Sequence, residues 1–291
     1  MRTRTSSGRQ LGFRLRPRGL AFAALLAAAC GLMPPEQPGQ AAPSEQTPLP
    51  PEGYRLLWSD EFAGTALDAS RWSAFAGPRR DSEMTPDAVA VKGGSLTMTT
   101  YTDAAGHHTA FLSTQGKLAA TYGYFEARIR FSDAPGEWCA FWLQSPTNGD
   151  PKGDPGRAGV EIDVVEHRAT DQGGWTALKD MVALNLNWDG YGPDRQNRQK
   201  VMGLPDGAAL QGEWHTYGVL WTDAGYTFYL DGIALWTLDE AVSRRSEELQ
   251  LTCEVDDGGW AGNVPPGGYG PRATSTTGMQ VDWVRVWQKG P

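Results

Sequence analysis

The chain is poor in the residues that most often bind metals or carry redox chemistry. Its 291 residues include three cysteines and four histidines, and neither set has the spacing of a zinc site or of an HExxH helix. A glycine-rich loop in a phosphate-binding context and the G-x-S-x-G pattern of a nucleophilic serine are also missing. The sequence therefore predicts a protein that requires no cofactor for its activity.

Cysteines are too few for a disulfide framework. Beyond Cys30 only Cys139 and Cys253 remain, and both lie in strand-like segments. This context favours burial as small apolar side chains, and a disulfide is the alternative that the sequence does not decide.

Basic residues are the scarcer charged class, with 26 lysines and arginines against 34 aspartates and glutamates. The first fifty residues hold six arginines and two glutamates, so the remainder carries a net charge of −12 against −8 for the whole chain. An acidic surface of this kind repels phosphate backbones and anionic lipid headgroups. We therefore expect no nucleic-acid partner and no electrostatic binding to membranes.

Long apolar runs are limited to LAFAALLAAA at residues 20–29, which is too short to span a bilayer. Arginines and no acidic residues precede it, which predicts a secretory signal peptide over residues 1–30. The following Cys30 lies in a sequence that resembles a bacterial lipoprotein cleavage box, so the protein is expected to be secreted or tethered to the membrane by lipid; ordinary cleavage nearby is the alternative. Residues 31–50 form a proline-rich linker, and residues 51–291 suit a single domain, expected to be monomeric.

Short segments of alternating polarity, separated by Gly, Pro, Asp and Asn, dominate from residue 54 onward. They predict strands at 95–101, 122–131, 138–144, 160–166, 182–188, 215–221, 226–230 and 279–288. This cadence indicates an all-β fold, an antiparallel β-sandwich. Asp231-Gly232 predicts a hairpin turn, and residues 238–244 predict the one helical turn.

Three carboxylates, Glu161, Asp163 and Glu166, lie within one short strand-like segment, EIDVVE. Alternation puts Glu161 and Asp163 on one face and would send Glu166 to the other, whereas a β-bulge at Val164-Val165 brings all three together. Crowded carboxylates repel each other, which raises the pKa of at least one of them. A protonated carboxyl beside an ionised one is suited to cleaving a glycosidic bond. The alternative interpretation is an acidic, solvated strand face.

This segment resembles the active-site strand of glycoside hydrolase family 16, in the bulged E-x-D-x-x-E form of laminarinase-like members. Other segments are similar to the family and follow in its order: LLWSDEF (56–62), YGYFEARIRF (122–131), GEWCAFWLQSP (136–146), WHTYGVLWT (214–222), YTFYLDG (226–232) and VDWVRVWQ (281–288). The resemblance covers residues 54–288 and implies a concanavalin A-like jelly roll with a concave substrate cleft.

The resemblance also implies residue roles in a retaining hydrolysis. Glu161 matches the nucleophile and Glu166 the general acid/base, while Asp163 between them would hydrogen-bond the nucleophile. The implied activity is endo-hydrolysis of a polysaccharide, with β-1,3-glucan or mixed-linkage β-1,3-1,4-glucan favoured. The alternatives are transglycosylation, hydrolysis of an agar- or carrageenan-type galactan, and a binding sandwich without catalysis. The acidic surface makes a highly sulfated substrate harder to reconcile.

Aromatic and amide side chains are the candidate sugar-binding residues. Trp138 and Trp142 share one face of their strand, where indoles can stack on pyranose rings, and filling of the core is the alternative. The candidates further along the chain are Asn187, Trp188 and Tyr191 in a second wall and Trp260 in a glycine-rich loop. Related sequences carry histidine where Asn187 stands.

Two further predictions concern charged residues. Arg79, Arg80 and Glu83 precede a strand and are typical of a solvated turn, with a contribution to the cleft as the less favoured alternative. The resemblance implies a possible structural calcium, for which Asp282 matches an acidic position.

Overall fold

Alternating side chains build two large antiparallel sheets in the part of the chain that the structure, a computed structural model, describes: residues 49–290. The predicted signal peptide, Cys30 and nearly all of the predicted linker lie outside the described residues. None of the helices among residues 49–290 is long and apolar enough to cross a membrane.

The first sheet has eight strands. In spatial order they are β17 (Ile233–Leu238), β16 (Gly225–Leu230), β15 (His215–Thr222), β10 (Gly123–Phe131), β19 (Gly278–Lys289), β6 (Ser95–Thr99) and β5 (Val89–Lys92), with β1 (Tyr54–Asp60) paired to β19.

The second sheet has seven strands and carries the candidate site. In spatial order they are β14 (Gln196–Met202), β13 (Val182–Trp188), β12 (Glu161–Arg168), β11 (Glu137–Gln144), β18 (Glu248–Val255), β9 (Phe111–Ser113) and β2 (Ser73–Ala74).

A small third sheet stands beside them and supplies the edge of the cleft described below. It contains β3 (Gly77–Arg79), β4 (Ser82–Met84), β8 (Gly106–Thr109) and β7 (Tyr101–Asp103). The short helices of the described residues are a 3-10 turn at Pro86–Ala88 and α1 at Pro155–Ala158, and neither was predicted.

The core lies between the two large sheets and follows from the period of the strands. On β11, Cys139, Phe141 and Leu143 point into it, and on β13 the residues Leu184 and Leu186 do the same. Each large apolar side chain buried there contributes roughly 1.5–3 kcal/mol to folding. The alternate residues of these strands are left on the outer face of the seven-stranded sheet, where the cleft forms.

The Asp231-Gly232 hairpin is confirmed, with φ of 50° and 76° between β16 and β17. Asp231 also accepts hydrogen bonds from the Thr216 backbone N–H at 2.8 Å and pairs with His215 Nδ1 at 2.6 Å. His215 therefore stabilises the turn and takes no part in the cleft.

The predicted helical turn at residues 238–244 is wrong. Beyond β17 the chain bends without forming a helix, and Ala241 has a φ of 50°. The Tyr226 hydroxyl donates to the Ala241 carbonyl at 3.1 Å and accepts from the Ser243 N–H at 2.7 Å. These bonds satisfy the backbone groups that a helix would have paired.

The favoured interpretation of two separate cysteines is also wrong, although both are buried. Cys139 on β11 and Cys253 on β18 are direct cross-strand partners and form a disulfide. The two cysteines are 114 residues apart in the sequence, and they become neighbours only because β11 and β18 pair in the sheet.

Candidate active site

A β-bulge on β12 brings the three acids of the EIDVVE segment together. Opposite β11, Trp142 pairs with Asp163 and Phe141 pairs with Val165, so that Val164 has no partner. The register against β13 shifts at the same place, between Asp163 and Glu166. The structure thus contains the predicted bulge, and Glu161, Asp163 and Glu166 all line one cleft with a volume of about 910 Å³.

Burial and mutual repulsion determine the protonation of these acids. Burial raises the pKa of Asp163 well above its ordinary value, and the Glu161 and Glu166 carboxylates add to the shift. Burial, followed by repulsion from Glu161 and Glu254, raises the pKa of Glu166 to about 8. At neutral pH Glu166 is therefore an acid that holds its proton, which is the state a proton donor needs.

Glu161 is surrounded by hydrogen-bond donors. The Asn187 Nδ2 group donates to Glu161 Oε1 at 3.0 Å and to Asp163 Oδ2 at 2.9 Å, and the Tyr191 hydroxyl donates to Glu161 Oε2. Burial raises the pKa of Glu161, whereas the bond from Tyr191 opposes that rise. These donors favour the ionised carboxylate at this position, in contrast to Glu166.

Glu166 has a donor of its own in Asn185, whose Nδ2 group contacts Oε2. Asn185 and Asn187 are consecutive cleft-facing residues of β13, and they lie opposite Asp163 and Glu161 across the strand pair. One strand of amides is therefore in register with one strand of acids.

Indoles form a wall beside the acids. Trp138 and Trp142 are buried on β11, and the Trp142 Nε1–H donates to the Thr252 hydroxyl at 3.1 Å. Trp260 meets Trp138 edge to face, with ring centroids 5.7 Å apart. These three of the four predicted tryptophans line the cleft.

Guanidinium groups lie over two of these indoles. Arg80 lies over Trp138 at 4.6 Å from the ring centroid, and Arg168 lies over Trp260 at 3.8 Å. These cation–π contacts hold the rings in place and bring positive charge to this end of the cleft. Part of each indole is consequently covered by protein.

The preference for a solvated turn at residues 79–83 is wrong for the two arginines. Arg79 and Arg80 line the cleft, and both pair with the buried Glu254 of β18, at 2.7 Å and 2.5 Å. Glu83 is exposed, as the turn interpretation expected. Glu254 thus attaches the β3–β4 hairpin to the floor of the site.

Sequence reasoning missed several residues that line the cleft. They are Phe111, Gln144, Arg195, Asn197, Gln199, Gln250, Thr252 and Glu254. A signal existed on β18, because the segment ELQLTCEV alternates polar and apolar residues as clearly as β13 does. The exposed β14 has no comparable apolar face, and its place beside β13 appears only in the fold.

Two predicted site residues lie elsewhere. Trp188 is not part of the lining of the cleft; it packs against the core, with Arg198 over its ring at 5.6 Å. Asp282 is on the other large sheet and forms a 2.6 Å ion pair with Arg128.

The residues present do not fit a calcium site at Asp282, because its partner is a cation. Within residues 49–290, the one cluster of potential metal ligands is Glu137 with Cys139 and Cys253. The two cysteines are joined in the disulfide and offer no thiolate.

Comparison with known proteins identifies the family. The model of the β-porphyranase A–D GH16 domain matches residues 57–289 of this chain. The chain belongs to glycoside hydrolase family 16. The match lies within the predicted domain at residues 51–291.

Relatives within this family differ in the substrates that their names state. The chain is 26% identical to glucan endo-1,3-β-glucosidase A1 of Niallia circulans over 84% of its own length and 39% of that protein. It is also 26% identical to β-porphyranase E of Zobellia galactanivorans, over 81% of its own length and 89% of that protein.

The fold is shared with solved structures of the family. The endo-β-1,3-glucanase of Pyrococcus furiosus is 24% identical, with a TM-score of 0.62 over 81% of this chain and 96% of that one. The predicted jelly-roll sandwich is confirmed.

Proposed function

We propose that this protein is an endo-acting, retaining β-glycosidase that cleaves a polysaccharide through a covalent glycosyl-enzyme. The proposal depends most on one observation: three carboxylates share a single bulged strand in an open cleft, and their surroundings differ. An open cleft accepts a chain at an internal position, which suits endo-cleavage.

Glu161 is assigned as the nucleophile, because Asn187 and Tyr191 donate to its two oxygens and favour the carboxylate. Glu166 is assigned as the general acid, because its raised pKa of about 8 keeps the proton on it at neutral pH. It protonates the departing sugar oxygen while Glu161 bonds to the anomeric carbon. After deprotonation it activates the water that releases the sugar from Glu161.

Asp163 stands between the two, and burial together with the neighbouring carboxylates raises its pKa well above the ordinary value, which favours its neutral form. A neutral Asp163 can donate a hydrogen bond to a neighbouring carboxylate, and it adds no third negative charge to the site.

The first candidate substrate is β-1,3-glucan or mixed-linkage β-1,3-1,4-glucan. The similarity to an endo-1,3-β-glucosidase supports it, together with the amides and indoles that suit neutral sugar rings.

An agar- or carrageenan-type galactan is the second candidate. It is favoured by the match to the β-porphyranase domain and by the guanidinium groups of Arg79, Arg80 and Arg195 in the cleft. Those groups provide positive charge locally on a chain whose net charge is negative.

A panel of polysaccharides tests the proposal. The purified protein is incubated with laminarin, barley glucan, agarose, carrageenan and xyloglucan, and oligosaccharide products are measured beside the matched Glu161→Gln variant. Short oligosaccharides from laminarin or barley glucan support the first substrate, and products from agarose or carrageenan support the second. No product from any polymer, with binding retained, would leave a binding sandwich as the better explanation, and added acceptor sugars distinguish transglycosylation from hydrolysis.

Secretion and lipid attachment at Cys30 belong to this proposal as well, on the strength of the leader sequence. Mass spectrometry of the mature protein tests them. A lipid-modified Cys30 at the amino terminus is expected, whereas an unmodified terminus at another residue would contradict the anchor.

A further inference from the structure

Tyr191 lies outside the strands, yet its hydroxyl reaches the centre of the site. The residue belongs to the connection between β13 and β14 and is 65% exposed. Its hydroxyl contacts Oε2 of Glu161 on β12 and lies 2.9 Å from the side-chain amide of Gln144 on β11. Gln144 and Glu161 are cross-strand partners. The Tyr191 side chain therefore extends from the end of β13 over β12 to the edge of β11.

The connection that carries Tyr191 is held at two points. Gly190, with a φ of 76°, packs so closely on Gly149 that a Cβ added at Gly149 would lie 2.7 Å from its backbone. The Asp189 carboxylate accepts a hydrogen bond from the Gly153 N–H at 2.8 Å. These contacts fix the turn that carries Tyr191, so its phenol is held against Glu161 without a bound sugar.

Hydrogen-bond counting gives the direction of the network. A phenol has one proton, and Glu161 as a carboxylate can only accept, so the Tyr191 proton points to Glu161. The atom of Gln144 that lies 2.9 Å from the phenol oxygen is placed as Oε1, and the same proton cannot be donated to it as well. The Gln144 amide is therefore assigned the reversed orientation, in which its N–H donates to the phenol oxygen. Although much of the Tyr191 side chain is exposed, it lines the cleft, where desolvation and the facing Glu161 carboxylate raise the pKa of its hydroxyl. The hydroxyl therefore keeps its proton across the working range.

We propose that Tyr191 is a positioning residue that holds Oε2 of Glu161, while Asn187 holds Oε1, and thereby fixes the orientation of the nucleophile and favours its ionised form. The inference rests on the proposed role of Glu161. It gives Tyr191 a function different from direct contact with the sugar, the role that the sequence suggested.

Removal of the Tyr191 hydroxyl eliminates one of several interactions that affect the ionisation of Glu161. The charged and titratable groups that interact with Glu161 include Asp163 and Glu166 on its own strand, Glu254 on β18, Glu247 just before β18, Arg79 at the hairpin, and Arg195 and Tyr191 in the β13–β14 connection. The other carboxylates disfavour its ionisation, and the arginines favour it. Loss of the Tyr191 donor with the rest unchanged therefore moves the ionisation of Glu161 to higher pH.

The test compares Tyr191→Phe with the parent protein. The acid limb of the kcat/KM–pH profile should move up by about one pH unit, or about 1.36 kcal/mol, because loss of a hydrogen bond to the carboxylate disfavours its ionised form. The alkaline limb should stay in place and kcat should fall more than KM rises. Tyr229→Phe, on the other large sheet, is the matched control and should change neither limb.

A second readout needs no substrate. In protein labelled with ¹³C-glutamate, the Glu161 carboxyl resonance is assigned by its loss in Glu161→Gln and is titrated directly. Tyr191→Phe should raise its midpoint by the same amount. Gln144→Leu should raise it less, and should add nothing in the Tyr191→Phe background because both act through one bond.

A change confined to KM, or an unmoved Glu161 titration, would overturn the inference and make Tyr191 a sugar contact. If the parent protein cleaves no polysaccharide, the proposed function fails, whereas the titration still decides whether Tyr191 controls Glu161.

Discussion

At the scale of single residues, two glutamates on one strand are given different chemistry by their neighbours. Both carboxylate oxygens of Glu161 accept hydrogen bonds, from Asn187 and Tyr191. Burial and nearby carboxylates raise the pKa of Glu166 to about 8. The surroundings thus favour the ionised form at Glu161 and the protonated form at Glu166, the pair of states that a double displacement requires.

Glu161→Ala should abolish hydrolysis and leave folding and polysaccharide binding in place, because it removes the proposed nucleophile. Product formation and glucan binding are measured on the same preparation. Glu161→Gln keeps the shape of the side chain and should be equally inactive. Activity that survives in both variants would contradict the assignment of the nucleophile.

Glu166→Ala should lower the rate by about 10²–10⁴-fold on natural substrates, whose leaving groups need a proton. Aryl glycosides with an activated leaving group need little protonation and should be affected much less in bond cleavage. An equal loss on both kinds of substrate would argue against an acid role for Glu166.

The three carboxylates could be predicted from the sequence because acidic residues are out of place in a strand of Ile and Val. The arginines at 79 and 80 could not, because their partner Glu254 lies 174 residues or more away along the chain. Trp188 was misassigned because an indole next to a polar strand looks the same in sequence whether it faces a sugar or the core. The hydroxyl contact of Tyr191 depends on a turn whose course the sequence does not show.

At the scale of elements, strand bounds were predictable and strand neighbours were not. The predicted strand at 182–188 matches β13, since polar and apolar residues alternate without interruption there. The pairing of β11 with β18 depends on the whole topology, and so did the disulfide that joins them.

That disulfide lies on the core side of the strands whose opposite face carries Trp138 and Glu254. Replacement of both cysteines by alanine should lower the free energy of unfolding by roughly 2–5 kcal/mol, as for other native disulfides. Urea unfolding with and without reductant measures it, and the reductant should affect the parent but not the double variant. Titration of a free thiol at Cys139 or Cys253 in the unreduced, denatured parent would contradict the bond.

At the scale of the whole molecule, buried carboxyls make the free energy of unfolding depend on pH. Burial raises the pKa of Glu137 to about 7 and those of Glu166 and Glu247 to about 8, against an ordinary value of 4.5. Each binds its proton more tightly in the folded state than in the unfolded state. Their contribution to stability is therefore greatest below the ordinary value and is lost as pH rises towards the folded value.

The midpoint of thermal unfolding should accordingly fall between about pH 5 and pH 8. Glu247→Gln should make the fall of the midpoint with pH less steep, because glutamine does not titrate. The variant is a clean test, since Glu247 lies outside the cleft and glutamine can also accept the hydrogen bond that the Val160 N–H donates to Oε1. A midpoint that rises over this range, or a slope that Glu247→Gln leaves unchanged, would contradict this explanation.

The most direct test of the mechanism is the configuration of the first sugar released. The polysaccharide that the protein cleaves is digested at high enzyme concentration, and the new reducing ends are followed by proton NMR before they mutarotate. A double displacement through Glu161 predicts that the β-anomer appears first and the α-anomer grows in later. An α-anomer formed first would mean single displacement by water, and would contradict both the covalent intermediate and the role given to Glu161.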